Sequence, residues 1–160
     1  MIFLTVGTQF PFDRLVKAVD AAIAQNGHDE RFYGQIGEGN RYTPQNMDWV
    51  SNLAKAEYDD VFRNASAIIA HAGMGTIALA LRYGKPLLVM PRLKRCGEVV
   101  HDHQVDIARK FGESRHILVA YREAELADKM KQLRTFVPEP RGNQAHSVAE
   151  RIATFLKDLK

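Results

Sequence analysis
Four residues between positions 71 and 76 could do chemistry together: His71, Gly73, Gly75 and Thr76, in the stretch HAGMGTIALALRYGKPLLVMP (71–91). An apolar run precedes them and small apolar residues follow, so they sit where a strand hands over to a helix. A helix N-terminus presents unpaired N–H groups and the positive end of the macrodipole, and it therefore binds anions. Glycine at 73 and 75 removes Cβ atoms that would hold a phosphate away from those groups. Thr76 adds a hydroxyl donor, and His71 could donate an imidazole N–H to a phosphate oxygen. Together they describe a diphosphate cradle. The alternative is tight strand–helix packing around two glycines beside a structural histidine; from the residues alone both stay open.

The segment GMGTIA also satisfies G-x-G-x-x-A, the pattern of dinucleotide-binding loops. That pattern expects an acid at the end of the next strand, which here ends in Met90-Pro91-Arg92. Arg92 could take a 2′-phosphate or another anion, so an NAD(P)-binding oxidoreductase domain stands as an alternative. In HDHQ (101–104), His101 and His103 lie two apart, a spacing that suits a metal in a loop or strand. At the start of a helix, residues two apart face different directions, and no metal site is expected. Asp102, His103 and Gln104 could instead hydrogen-bond the hydroxyls of a sugar, or form an ordinary polar helix start with Asp102 favourable to the dipole. There is no G-x-S-x-G elbow and no P-loop, and Cys96 in CGE carries no nucleophile signature.

These residues need a scaffold, and the chain alternates strand and helix patterns throughout. Strands are predicted at 2–6, 31–37, near 47–50, at 66–73, 86–90 and 116–120. Helices are predicted through Phe12–Ile23, Tyr58–Ala65, about Gly75–Tyr83 closed by Gly84, Val105–Phe111, Leu126–Leu133, and a last one with the apolar stripe Val148, Ile152, Phe155, Leu156 and Leu159. Residues 38–46, EGNRYTPQN, read as a loop. The alternation predicts an α/β fold: an open parallel sheet with helices on both faces, Rossmann-like. In such folds ligands bind at the carboxyl ends of the strands. Two glycine loops fall there: Gly7-Thr8 after the first strand, and 71–76.

With 160 residues, 46% hydrophobic and 26% charged, the chain suits one domain, 1–160, with a substantial core. No run approaches the ~18 apolar residues of a membrane span. The start, MIFLTVGTQF, reads as a core strand and not a signal peptide. A single cysteine precludes an internal disulfide and suits a reducing cytoplasm. The formal charge of +3 is modest. Lys85, Arg92, Lys94 and Arg95 cluster near the motif, which hints at an anionic ligand, although scattered solubilising charge explains them equally. No basic stripe interleaved with aromatics suggests nucleic acid.

FLTVGTQFPFDRLVKAV, HAGMGTIALALRYGKPLLVMPR and HDHQ, in this order, resemble the C-terminal, donor-binding domain of family 28 glycosyltransferases. The likeness spans essentially the whole chain. It is strongest to the short exopolysaccharide and capsule glycosyltransferase subunits of bacteria, which are similar to the catalytic subunit of the two-part eukaryotic enzyme adding the second N-acetylglucosamine to dolichol-linked sugar. The resemblance implies one half of a GT-B fold, with a nucleotide diphosphate sugar, usually UDP-linked, as substrate and no cofactor. It assigns Gly7 and Thr8 to the loop beside the diphosphate, His71, Gly73, Gly75 and Thr76 to the central phosphate motif, and His103 and Gln104 to the donor sugar.

The resemblance further implies inversion by direct displacement, with the base supplied by the missing acceptor half. The expectation is therefore a separate membrane-associated partner that binds a lipid-linked glycan acceptor, docked in part by the stripe from Val148 to Leu159, or else that stripe packs on its own sheet. The chain would then be cytoplasmic, peripheral at the inner face of the cytoplasmic membrane, with self-association left open. One position departs: family members often place a ribose-binding glutamate where this chain has Leu79. That departure keeps a non-catalytic nucleotide-sugar-sensing or scaffolding subunit among the alternatives.

Overall fold
The computed structural model describes residues 1–26 and 30–140. Its elements run β1 (Ile2–Thr5), α1 (Asp13–Asn26), β2 (Phe32–Gln35), β3 (Asp48–Val50), α2 (Lys55–Asn64), β4 (Ala67–His71), α3 (Met74–Arg82), β5 (Leu87–Met90), α4 (His103–Glu113), β6 (Leu118–Val119) and α5 (Leu126–Leu133), with single 3-10 turns at Lys94–Cys96 and Glu123–Glu125. The two 3-10 turns have no counterpart in the sequence reading. The helix expected around Val148–Leu159 lies outside the described residues.

All six strands pair in parallel, in the order β3-β2-β1-β4-β5-β6. The central strands β1, β4 and β5 are apolar at almost every position, as strands covered on both faces must be. Period-two alternation divides them. Ile2, Leu4, Ile69, Leu88 and Met90 face α1 and α5 through Leu15, Val16, Val19, Met130 and Leu133. Phe3, Ile68, Ala70, Leu87 and Val89 face α2, α3 and α4 through Phe62, Ile77, Ala80 and Ala108. Each Val, Leu, Ile, Phe or Met side chain among them contributes about 1.5–3 kcal/mol by leaving water.

This strand order determines where a ligand can enter. The chain builds outward from β1 to β3 on one side, then crosses back to β4 and builds outward to β6 on the other. The connections leaving the carboxyl ends of β1 and β4 therefore diverge, and a crevice opens between them. Thr5, Gln35, His71 and Met90 close their strands at this end, in register with their neighbours.

Candidate functional site
A cleft of about 440 Å³ occupies that crevice. Gly7, Thr8, Gln9 and Phe10 form the wall after β1, His71 and Gly73 the wall after β4, and Gly75, Thr76 and Leu79 the face of α3. Tyr58 of α2 and Arg92, Val99, His103 and Gln104 complete it. No acidic side chain lines it among the described residues.

The N-terminus of α3 opens into this space. Gly73, extended at φ −82° and ψ 133°, is its N-cap, and no side chain caps the first turn. The helix takes up its own ladder with the Ile77 N–H donating to the Gly73 carbonyl at 3.0 Å. The N–H groups of Met74, Gly75 and Thr76 precede that first rung and have no acceptor within the helix. A Cβ at Gly75 would meet nothing within 4 Å, so glycine there leaves the approach to those groups open.

Gly73 and Gly7 have a different task. A Cβ at either would run into the His71 imidazole: at Gly73 into Nε2, at Gly7 into Cε1 at 2.8 Å. The two glycines make the slot in which the ring is held, and Gly7 also adopts φ +77°, a region unfavourable to other residues. The Gly7 peptide is fixed on both sides: its N–H donates to Thr5 Oγ1 at 3.3 Å, and its carbonyl accepts from Gln35 Nε2 at 3.4 Å. The sequence reading gave Gly73 to phosphate access; the structure gives it first to the histidine.

His71 itself is largely buried. Burial, reinforced by the nearby Arg92 charge, pushes its pKa down to about 4, against the Thr5 backbone, which favours the charged ring. The ring is neutral at physiological pH and can donate through one nitrogen only. Its Nδ1 is buried without a hydrogen-bond partner.

Arg92, a candidate anion ligand in the sequence, borders the cleft and is buried. It is 3% exposed, and its guanidinium donates to the carbonyls of Val6 at 2.9 Å and Phe10 at 2.5 Å. Both bonds are made by Nη2, so that nitrogen is spent on the protein while the side chain still borders the cleft. The basic cluster around the motif also disperses. Lys85 donates to the Ala65 carbonyl at the opposite end of the sheet, while Lys94 and Arg95 are exposed on a 3-10 turn.

At the start of α4, Gln104 is buried and its Oε1 accepts the Arg92 N–H at 3.1 Å, which leaves its amide NH₂ as a donor. His103 is exposed at the cleft, with Nδ1 3.2 Å from the His101 carbonyl. Asp102 does not line the cleft: its carboxylate accepts the Lys94 N–H at 2.7 Å and stabilises the 3-10 turn. Of the sequence-selected residues, Gly7, Thr8, His71, Gly73, Gly75, Thr76, Arg92, His103 and Gln104 converge, and Asp102 does not. No group of three or more His, Cys, Asp or Glu that could hold a metal occurs among the described residues.

Tyr58 was missed. Its ring packs edge-on against Phe3, with centroids 5.6 Å apart, and its hydroxyl reaches the side chains of Thr5 and Thr76. Burial raises its phenol, and those two hydrogen bonds oppose the shift. In the sequence it looks like one more member of an apolar helix stripe. The only available signal is a hydroxyl-bearing aromatic facing a strand that ends in threonine. Leu79, one turn beyond Thr76, puts an apolar side chain into the cleft.

Residues 1–159 match the model of the glycosyltransferase family 28 C-terminal domain. The UDP-N-acetylglucosamine transferase subunit ALG13 of Yarrowia lipolytica is 30% identical over 131 residues, 75% of this chain and 64% of that protein, so the chain spans under two thirds of that relative's length. An NMR structure of ALG13 superposes with a TM-score of 0.60 at 20% identity, covering 95% of this chain and 94% of that one. Acinetobacter baumannii MurG superposes with a TM-score of 0.63 at 16% identity, over 84% of this chain and 42% of its own. At such identities these structures speak for the fold: the open parallel sheet found in glycosyltransferases. With the match running almost end to end, the chain belongs to the glycosyltransferase family 28 C-terminal domain family.

Proposed function
We propose that this chain is the donor-binding, catalytic subunit of an inverting glycosyltransferase. It moves a hexose from a UDP-sugar to a polyprenyl-diphosphate-linked glycan in exopolysaccharide or capsule synthesis. A separate membrane-associated subunit binds the acceptor, supplies the base and holds the complex at the cytoplasmic face of the membrane. One domain, 1–160, binds the donor, and the sugar nucleotide is a substrate, with no further cofactor. The observation that carries this reading is the uncapped N-terminus of α3 opening into a cleft with no acidic lining among the described residues.

In that cleft the leaving diphosphate would lie against the first-turn N–H groups of α3, with Thr76 and the neutral His71 beside it. Dipoles fixed before the reaction stabilise charge that develops on the leaving group, and removing one such donor typically costs about 10²–10³ in rate. Gln104 and His103, which line the same cleft, would hydrogen-bond the sugar hydroxyls. A base is not evident on this side: no carboxylate lines the cleft among the described residues, and a histidine with a pKa of about 4 is a poor proton acceptor. That fits a base supplied by the partner. No described helix is long and apolar enough to cross a membrane, so attachment through a partner is the route proposed.

Leu79 in the cleft favours a second reading, a nucleotide-sugar-sensing or scaffolding subunit without chemistry. Calorimetry with UDP and UDP-sugars, followed by transfer assays with and without the acceptor-binding subunit, separates the two. The catalytic reading expects binding alone, transfer with the partner, and loss of about 10²–10³ in rate for His71→Ala or Gly75→Asp. Binding without transfer in the reconstituted pair would favour sensing, and normal transfer by both variants would contradict the cradle.

A further inference from the structure
Arg92 is an expensive residue to keep where it is. A buried cation loses several kcal/mol of hydration, on the order found for ions in protein interiors, unless a carboxylate compensates it. Arg92 forms no ion pair among the described residues. Glu98, whose charge it feels, is forked by Arg14 through contacts of 2.7 and 2.8 Å. The Arg92 guanidinium instead lies 5.0 Å from the Phe12 ring centroid, donates to two carbonyls of the 6–10 loop, and leaves its Nε buried without a partner. Its backbone N–H is taken by Gln104.

One residue thus ties the loop after β1 and the exit of β5 to the first turn of α4, which are three of the surfaces that frame the cleft. We propose that Arg92 is a positioning residue of the donor site: its side chain holds the 6–10 loop, its backbone N–H holds Gln104 in register across the cleft, and its guanidinium places a permanent positive charge at the cleft wall. The proposal rests on the reading of the cleft as a diphosphate site for its effect on ligand, and on His71 for a readout that needs no ligand.

His71 faces Arg92 from the exit of β5 and the Thr5 backbone from β1, and it shares the cleft with Tyr58 of α2 and His103 of α4. Its titration therefore reports the charge at position 92. The test uses the full chain, with Arg92→Met removing charge and donors and Arg92→Lys keeping charge but losing the fork. NMR follows the His71 ring against pH, and calorimetry measures UDP affinity.

In Arg92→Met, the His71 midpoint is expected to rise from about 4 toward 6.5, by about half a pH unit or more, and UDP affinity to fall about tenfold. In Arg92→Lys, the midpoint should stay near the unaltered value while affinity still falls, because the two carbonyls lose their paired donors. An unmoved midpoint in Arg92→Met, or UDP affinity unchanged in Arg92→Lys, would overturn the proposal. If Arg92→Met does not fold, the affinity of Arg92→Lys decides. If the unaltered chain binds no UDP, the diphosphate reading fails by itself and the His71 midpoints still decide the role of Arg92.

Discussion
The imidazole Nε2 of His71 occupies the space that a Cβ on residue 73 would need, so the N-cap of α3 and the last residue of β4 fit together only with glycine at 73. Gly7 closes the other side of the same slot, and the ring has little room to yield.

This gives the three glycines of the site opposite sensitivities. Gly73→Ala forces a buried ring out of place and should cost about 1–3 kcal/mol, the usual penalty of overpacking. Gly7→Ala adds the strain of a positive φ to the same collision and should cost at least as much. Gly75→Ala meets nothing and removes chain entropy from the unfolded state, so it should leave stability unchanged or raise it by up to about 1 kcal/mol. Urea denaturation of the three variants checks the order. Equal losses would mean that the slot does not hold the ring.

His71 should also make stability depend on pH. The folded ring titrates near 4 and the free ring near 6.5, so between those values the unfolded chain binds the additional proton. Stability is then fully present above pH 6.5 and falls as pH drops toward 4, with a slope of at most about 1.4 kcal/mol per pH unit. Replacing His71 by glutamine should flatten that limb. Melting temperatures from pH 4 to 7 for both proteins test it, and parallel curves would contradict it.

Much of the scaffold can be read from residue types, because period-two and helical patterns are local. The strands of the sheet and the five described helices lie where apolar spacing puts them. Strand order is not local, so the crevice between β1 and β4 becomes visible only once the sheet is assembled. The residues whose partners the sequence hides share a cause. Arg92 and Lys85 look like surface cations, and only tertiary placement aims their donors at buried or half-buried carbonyls. Asp102 looks like a sugar ligand until a nearby 3-10 turn, which leaves no periodic trace, supplies the Lys94 N–H. Tyr58 is hidden by its own apolar ring.

The loop from 38 to 46 is fastened to α1 by carboxylates. Asp20, 1% exposed, accepts the Tyr42 hydroxyl at 2.6 Å and the N–H groups of Gln45 at 3.1 Å and Asn46 at 2.8 Å. Burial alone would raise its pKa, but these hydrogen bonds outweigh that effect and hold it below the ordinary value. Asp20→Ala strands three donors and should cost about 2–4 kcal/mol, whereas Tyr42→Phe should cost about 1 kcal/mol. Chemical denaturation gives both values. A loss for Asp20→Ala no larger than for Tyr42→Phe would show that the loop finds other partners.

The amide spectrum of the ¹⁵N-labelled chain during titration with UDP locates the ligand without relying on catalysis. The expected result is saturable shifts of Met74, Gly75 and Thr76 at the start of α3, together with Gly7 and Thr8, and their disappearance in Gly75→Asp. Shifts confined to the surface around β6, or none at millimolar UDP, would contradict the assignment of this cleft to a nucleoside diphosphate.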